Sequence, residues 1–183
     1  LLDFLKINQA HFIGLSMGGM ICQELTINHQ SRMLSMTLCN TAAFFPETAN
    51  SLRDTRLEMI KNTPMELMAH YAAKLCIPPS SYSSELFTTI LAMFKQNRHL
   101  PYVAATECVF AIDFRAILDK INIPTLIIVG ELDLMTPIQS AQYLHTHINH
   151  SKLYIMPQTG HLTNLENPIL FNQRLRQFLQ ELY

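Results

Sequence analysis

Apolar and polar positions change rhythm twice along this chain. Ala10 to Gly14 is a short apolar run ending on glycine, and beyond Ser16 the residues Met20, Ile21 and Leu25 recur at helical spacing until Asn28. That spacing predicts a strand, a sharp turn and a helix. Met33 to Cys39 reads as a second strand, and 40–49, "NTAAFFPETA", as a loop. From Ser51 to Ile112 the pattern is helical only: "SLRDTRLEMIKN", "MELMAHYAAKLC", "SELFTTILAMFKQNR" and "YVAATECVFAI" are separated by Pro64, Pro78, Pro79 and Pro101. Alternation then resumes. Thr125 to Gly130 is a continuous apolar run of the kind buried on both faces, Pro137 to Ile148 a helix, Lys152 to Met156 a strand, and Pro168 to Leu182 an amphipathic final helix.

Strands that alternate with helices pair in parallel through crossovers, so the pattern predicts an α/β protein with a parallel sheet flanked by helices. Residues 1–45 and 113–183 are expected to form that core. Residues 46–112 are expected as a helical insertion between the two stretches.

Composition narrows the function more than the fold. With 183 residues, 49% of them hydrophobic, the chain can bury about 70% of its unfolded surface in one real core. The formal net charge is −1 and no basic or acidic run interrupts the sequence, which argues against nucleic acid or an anionic membrane as the partner. No apolar run approaches the roughly 20 residues of a membrane span, and no basic-then-apolar leader is visible at Leu1. The expected ligand is a small molecule. Cys22, Cys39, Cys76 and Cys108 are widely spaced with no Cys-x-x-Cys pair, which suits reduced thiols buried as small hydrophobes and a cytoplasmic location. "HTHINH" places His145, His147 and His150 at spacings that do not share a helix face, so zinc is not implied. Nor is any cofactor, since no phosphate-cradling glycine loop occurs.

Candidate chemistry starts at "GLSMGG". A serine hydroxyl is a weak nucleophile at neutral pH; it needs a base, a group to orient the base, and donors for the oxyanion that develops. Glycines beside a serine let a strand-to-helix turn close, and Gly14, Gly18 and Gly19 flank Ser16 in that way. The rival reading of Ser16 is packing or helix capping. His161, in "MPQTGHLTNLENP", lies on a loop between the last strand and the last helix and suits the base. Asp133, three residues past Gly130, lies beyond the carboxyl end of the strongest strand, where ligands meet open α/β sheets; Glu131 is its rival and Asp119 a more distant one. Of the five glycines, three flank Ser16, one precedes Asp133 and one precedes His161. The order Ser16, Asp133, His161 is the one that α/β hydrolases use.

The chain resembles that superfamily along nearly its whole length, the helical block standing where those enzymes carry a cap. More narrowly, "GLSMGGM", "NTAA", "ECVFAIDFRAIL", "IPTLIIVGELDLMTP" and "GHLTNLENP" together resemble the 3-oxoadipate enol-lactonases. The resemblance implies hydrolysis of an enol-lactone in aromatic-compound catabolism, with Ser16 as nucleophile, His161 as base, Asp133 as its orienter and the Met17 backbone N–H as an oxyanion donor. Arg53, Arg56 and Arg98 are candidates to receive a substrate carboxylate. The same chemistry on a small ester or a carbon–carbon cleavage product, and a catalytically silent interaction module, are the alternatives. Family caps carry a tryptophan soon after the "NTAA" motif; here there is none, and Leu52 or a neighbour stands in its place. The resemblance further implies earlier strands and a His-Gly oxyanion loop. The opening "LLDFLKINQA" then reads as the helix entering the first strand of the C-terminal part of a longer protein. The Ser16 strand would be a sheet edge covered by more polypeptide or by a second copy.

Overall fold

The computed structural model describes residues 1–46, 50–82 and 84–183; the side chains of 50–52, Leu52 among them, lie outside the described residues. Four parallel strands form one sheet in sequence order: β1 (Ala10–Leu15), β2 (Met33–Cys39), β3 (Thr125–Gly130) and β4 (Ser151–Met156). Helix α1 (Met17–His29) joins β1 to β2, and α6 (Ile138–His147) joins β3 to β4. Helices α2 (Asn50–Asn62), α3 (Met65–Cys76), α4 (Glu85–Lys95) and α5 (His99–Phe110) all fall between β2 and β3, while α7 (Thr163–Glu166) and α8 (Pro168–Gln180) follow β4.

Period-two alternation in the central strands explains the layers. In β3, Ile127 and Val129 point into a core with Met36, Leu38, Met20 of α1 and Ala141 and Leu144 of α6. Their neighbours Leu126 and Ile128 face the other way, onto Phe171 and Phe178 of α8. Every residue of β3 is buried, so a strand with helices on both faces has to be apolar throughout. A third cluster, Ala73, Cys76, Ile77 and Ile90, joins α3 to α4 and packs against Met135 and Leu162, which ties the helical block to the loops after β3 and β4.

Several expectations need correction. Residues 2–6 form turns and no regular helix: Ile7 N–H donates to the Leu2 carbonyl, Lys6 N–H to that of Asp3, and Lys6 has a φ of 56°, the Schellman pattern by which helices end. Helix α5 begins at His99, two residues before the predicted break at Pro101, because a proline in the first turn removes only an N–H that has no helical partner. Cys22, Cys39 and Cys76 are buried free thiols as expected, but Cys108 is exposed on α5. Arg115–Lys120 forms a 310 turn and Thr163–Glu166 the short α7, both beyond the elements that the apolar spacing predicts. Strand β1 is an edge strand with Ile13 51% exposed, and among the described residues no helix is long and apolar enough to cross a membrane.

Candidate active site

The carboxyl ends of all four strands converge. Ser16 follows β1 directly, Asn40 follows β2, Asp133 lies three residues past β3 and His161 five past β4. Main-chain bonds carry the ladder beyond the strand ends: Ser16 N–H donates to Cys39 O at 2.9 Å, Asn40 N–H to Ile128 O at 2.8 Å and Glu131 N–H to Met156 O at 2.9 Å.

Ser16 adopts φ 53° and ψ −120°, a conformation costly for any residue with a Cβ. Its carbonyl accepts from Gly19 N–H, Met20 N–H and the Thr41 hydroxyl, which hold the turn in place. The Ser16 side chain makes no capping bond to α1, so capping does not account for the serine. The glycines act by close approach, since none has positive φ. A Cβ on Gly14 would lie 2.2 Å from Gly18 O and one on Gly19 2.7 Å from Thr41, whereas one on Gly18 would meet nothing; Gly18 is not needed for closure, contrary to the sequence expectation.

Asp133 and His161 meet. His161 Nδ1 lies 2.9 Å from Asp133 Oδ2 and 3.0 Å from Oδ1, and both residues are buried. A carboxylate can only accept there, so Nδ1 carries the proton and Nε2 presents a lone pair. Nε2 is buried and has no hydrogen-bond partner among the described residues. The ring edge that a serine proton would reach is thus the unpartnered one. Ser16, Met17, Thr136 and His161 line one cavity of about 500 Å³, whose remaining wall is mostly apolar side chains from α1, α4, α5 and the loops, with Arg56 from α2. Met17 is the first residue of α1, where N–H groups have no partner within the helix.

Of the rivals for the acid, Glu131 accepts from the main-chain and side-chain nitrogens of Gln158 at 2.9 and 3.2 Å, closing the turn after β4. Asp119 is exposed in the 310 turn. Burial pushes the Asp133 carboxyl up, but the hydrogen bond and charge of His161, the Asn40 amide and the Thr136 N–H together hold it below the usual carboxylate value. A lowered folded value means stability that is fully present above the unfolded value, about 3.9, and is lost as pH falls from there through the lower folded value. The stability difference between the wild type and Asp133→Asn is therefore expected to narrow below about pH 4; denaturation midpoints of both proteins from pH 7 to pH 3 measure this, and parallel curves would refute it.

Residues not singled out from sequence complete the site. Asn40, fully buried and left-handed at φ 46°, donates through Nδ2 to Asp133 Oδ2 at 2.9 Å and to Gly160 O at 3.1 Å, while its Oδ1 accepts from the Thr163 hydroxyl at 2.7 Å. The Thr136 hydroxyl donates to Asp133 Oδ2 at 2.8 Å. Glu166 accepts from Gly160 N–H at 2.8 Å and Leu162 N–H at 3.1 Å, clasping the backbone on both sides of His161, and burial pushes its carboxyl up. Glu166→Ala is expected to lower kcat about 10- to 100-fold with little change in KM, because it loosens the loop that aims the ring. Glu166→Gln, which retains an amide acceptor, should recover part of the loss. Cys76 also lines the cavity, but burial first and Asp133 second push its thiol up to about 12, so it does not compete as a nucleophile. Its carbonyl accepts from His161 N–H at 2.7 Å.

The three candidate arginines separate. Arg56 lines the cavity; Arg53 pairs with Asp54 at 3.1 Å, and Arg98, exposed, precedes α5, neither of them in the cavity wall.

A parallel sheet with helices on both faces and a strand-turn-helix serine at its carboxyl edge defines a fold class. The family model for the alpha/beta hydrolase fold matches residues 1–75 and 102–168, and the chain belongs to that family. It is 31% identical over 182 residues to 3-oxoadipate enol-lactonase 2 of Acinetobacter baylyi, covering 98% of this chain and 67% of that protein. Among solved structures it superposes on the enol-lactonase from Burkholderia xenovorans with a TM-score of 0.89 at 26% identity, covering 98% of this chain and 68% of that one. A hydrolase from Pseudomonas aeruginosa gives the same TM-score, 0.89, at 28% identity, covering 97% and 67%.

Proposed function

We propose that this chain is a serine hydrolase of small lactones or carboxylic esters, with an enol-lactone of the 3-oxoadipate type as its substrate. The observation that carries the reading is the imidazole of His161, bonded to Asp133 through Nδ1 and unpartnered at Nε2, on the cavity that Ser16 also lines. Ser16 Oγ attacks the substrate carbonyl while His161 Nε2 takes its proton. The oxyanion of the tetrahedral intermediate accepts from Met17 N–H. The carbon–oxygen bond of the ester or lactone then breaks, and His161 returns the proton to the departing oxygen, which in a lactone stays tethered to the acyl chain. Water, deprotonated by His161, attacks the acyl-enzyme and releases the acid and Ser16. Likeness to the enol-lactonases supports the lactone over other acyl compounds. A cavity of about 500 Å³ suits a small-molecule ligand.

A fluorophosphonate probe tests the nucleophile. It is expected to label the full chain on the peptide containing Ser16 and to leave Ser16→Ala unlabelled. Absence of labelling, or labelling that survives in Ser16→Ala, would refute the assignment. Hydrolysis of the enol-lactone no faster than that of simple nitrophenyl esters would refute the substrate.

A further inference from the structure

One buried amide bonds both Asp133 and the residue before His161. Asn40 Nδ2 donates to Asp133 Oδ2 at 2.9 Å and to the Gly160 carbonyl at 3.1 Å. A carboxylate and a carbonyl can only accept, so they take the NH2 end of the amide and leave Oδ1 to the Thr163 hydroxyl, 2.7 Å away. The orientation of the amide is thereby fixed. Its backbone is fixed as well, because Asn40 N–H donates to Ile128 O at the end of β3, at 2.8 Å.

The other supports of Asp133 belong to its own loop. Met135 N–H and Thr136 N–H donate to Oδ1 at 2.8 and 3.0 Å, and the Thr136 hydroxyl donates to Oδ2 at 2.8 Å. Bonds between residues two and three apart turn with the loop and leave its place over the sheet free. Among the described residues Asn40 is the one side chain outside that loop, His161 apart, that bonds the carboxylate. Asn40 does not line the cavity. We propose that Asn40 is a positioning residue: its NH2 group locks the Asp133 carboxylate and the Gly160 carbonyl to the ends of β2 and β3, which holds the carboxylate against the His161 ring and aims Nε2 at Ser16. The inference rests on the proposed serine-hydrolase reading of the site. It gives one uncharged side chain, remote from the ligand, control of the proton transfer.

Two variants test this with 4-nitrophenyl acetate. Asn40→Gly removes the amide and accepts the left-handed φ of 46° without strain. Its kcat is expected to fall about 10- to 100-fold, the range for a lost hydrogen bond to a charged group, with KM within about twofold of wild type. A kcat within about twofold of wild type, or a loss carried in KM, overturns the proposal. Asn40→Asp is nearly isosteric and keeps the acceptor for Thr163, so it serves even where Asn40→Gly does not fold. Two carboxyl oxygens this close share a proton, which restores a donor to Asp133 at low pH; at high pH two charges face each other. The kcat of Asn40→Asp relative to wild type is therefore expected to rise about tenfold as pH falls from about 9 to about 5. The titratable groups near Asp133, which are His161, Cys76 and Glu166, are common to both proteins and cancel in that ratio. A ratio that is constant with pH overturns the proposal. NMR of the imidazole nitrogens of labelled histidine, with His161 assigned through His161→Gln, reads the same contact without turnover. The His161 signals are expected to shift in both variants, and unchanged signals overturn the proposal too. Failure of the wild type to hydrolyse the ester would instead count against the serine-hydrolase reading, and the imidazole signals would still decide the role of Asn40.

Discussion

Ser16→Gly is expected to yield a protein that is more stable than the wild type and inactive. Ser16 sits at φ 53° and ψ −120°, and such a conformation costs a residue with a Cβ about 1–3 kcal/mol. Glycine removes that strain but loses more backbone freedom on folding, about 1 kcal/mol, so the net gain is about 1 kcal/mol, or about 2–4 °C in Tm for a chain of this size. Ser16→Ala keeps the strain and the Tm, and loses only the hydroxyl. Because a nucleophile and its base act as a unit, Ser16→Ala should lower kcat by about 10⁶-fold, to the residue of rate left by binding and the oxyanion donors. Thermal unfolding and steady-state kinetics on both variants check this. An Ser16→Ala protein with more than about a hundredth of wild-type turnover would mean another group attacks the carbonyl.

The second large effect belongs to a residue with no chemistry. Gly130 ends β3 where the loop before His161 crosses it, and a Cβ there would lie 2.0 Å from Gly160 O and 2.5 Å from Thr159 O. Both obstacles are backbone, so no rotamer change relieves them. Either the loop or the strand end has to move by an ångström or more. Gly130→Ala is therefore expected to destabilise the fold by about 4 kcal/mol, the upper range for overpacking. In whatever fraction folds, His161 should be displaced and kcat reduced by about 100-fold or more. Denaturant midpoints together with kcat of the soluble fraction measure both effects; wild-type values would show that the loop has slack. The matching change Gly18→Ala, where a Cβ meets nothing, should be nearly silent, which makes it the control.

These predictions also mark how far the site was legible in the chain. Ser16, Asp133 and His161 could be picked out because each follows a strand signal and a glycine, and the structure brings Asp133 and His161 into contact and puts Ser16 and His161 on one cavity. In the sequence Asp133 is set apart from Glu131 only by lying farther from the strand end, on the turn "DLMTP". What separates them physically is that Glu131 turns to Gln158 while Asp133 turns inward, to Asn40, Thr136 and His161. The three arginines looked alike as helix charges. Only packing of α2 against Phe110 distinguishes Arg56.

By itself the sequence determined the strands and helices of the sheet, because burial on one or both faces imposes a period of two or 3.6 that the apolar residues have to follow. It also determined the backbone approaches at Gly14 and Gly130, since only glycine fits there. The tertiary structure alone decided the support around the site: Asn40 reaches Asp133 across 93 residues of chain and Thr163 reaches Asn40 across 123. Polar contacts of that range leave no local period. They exist because parallel strands bring their carboxyl ends to one place, where each loop can satisfy the buried donors and acceptors of the others.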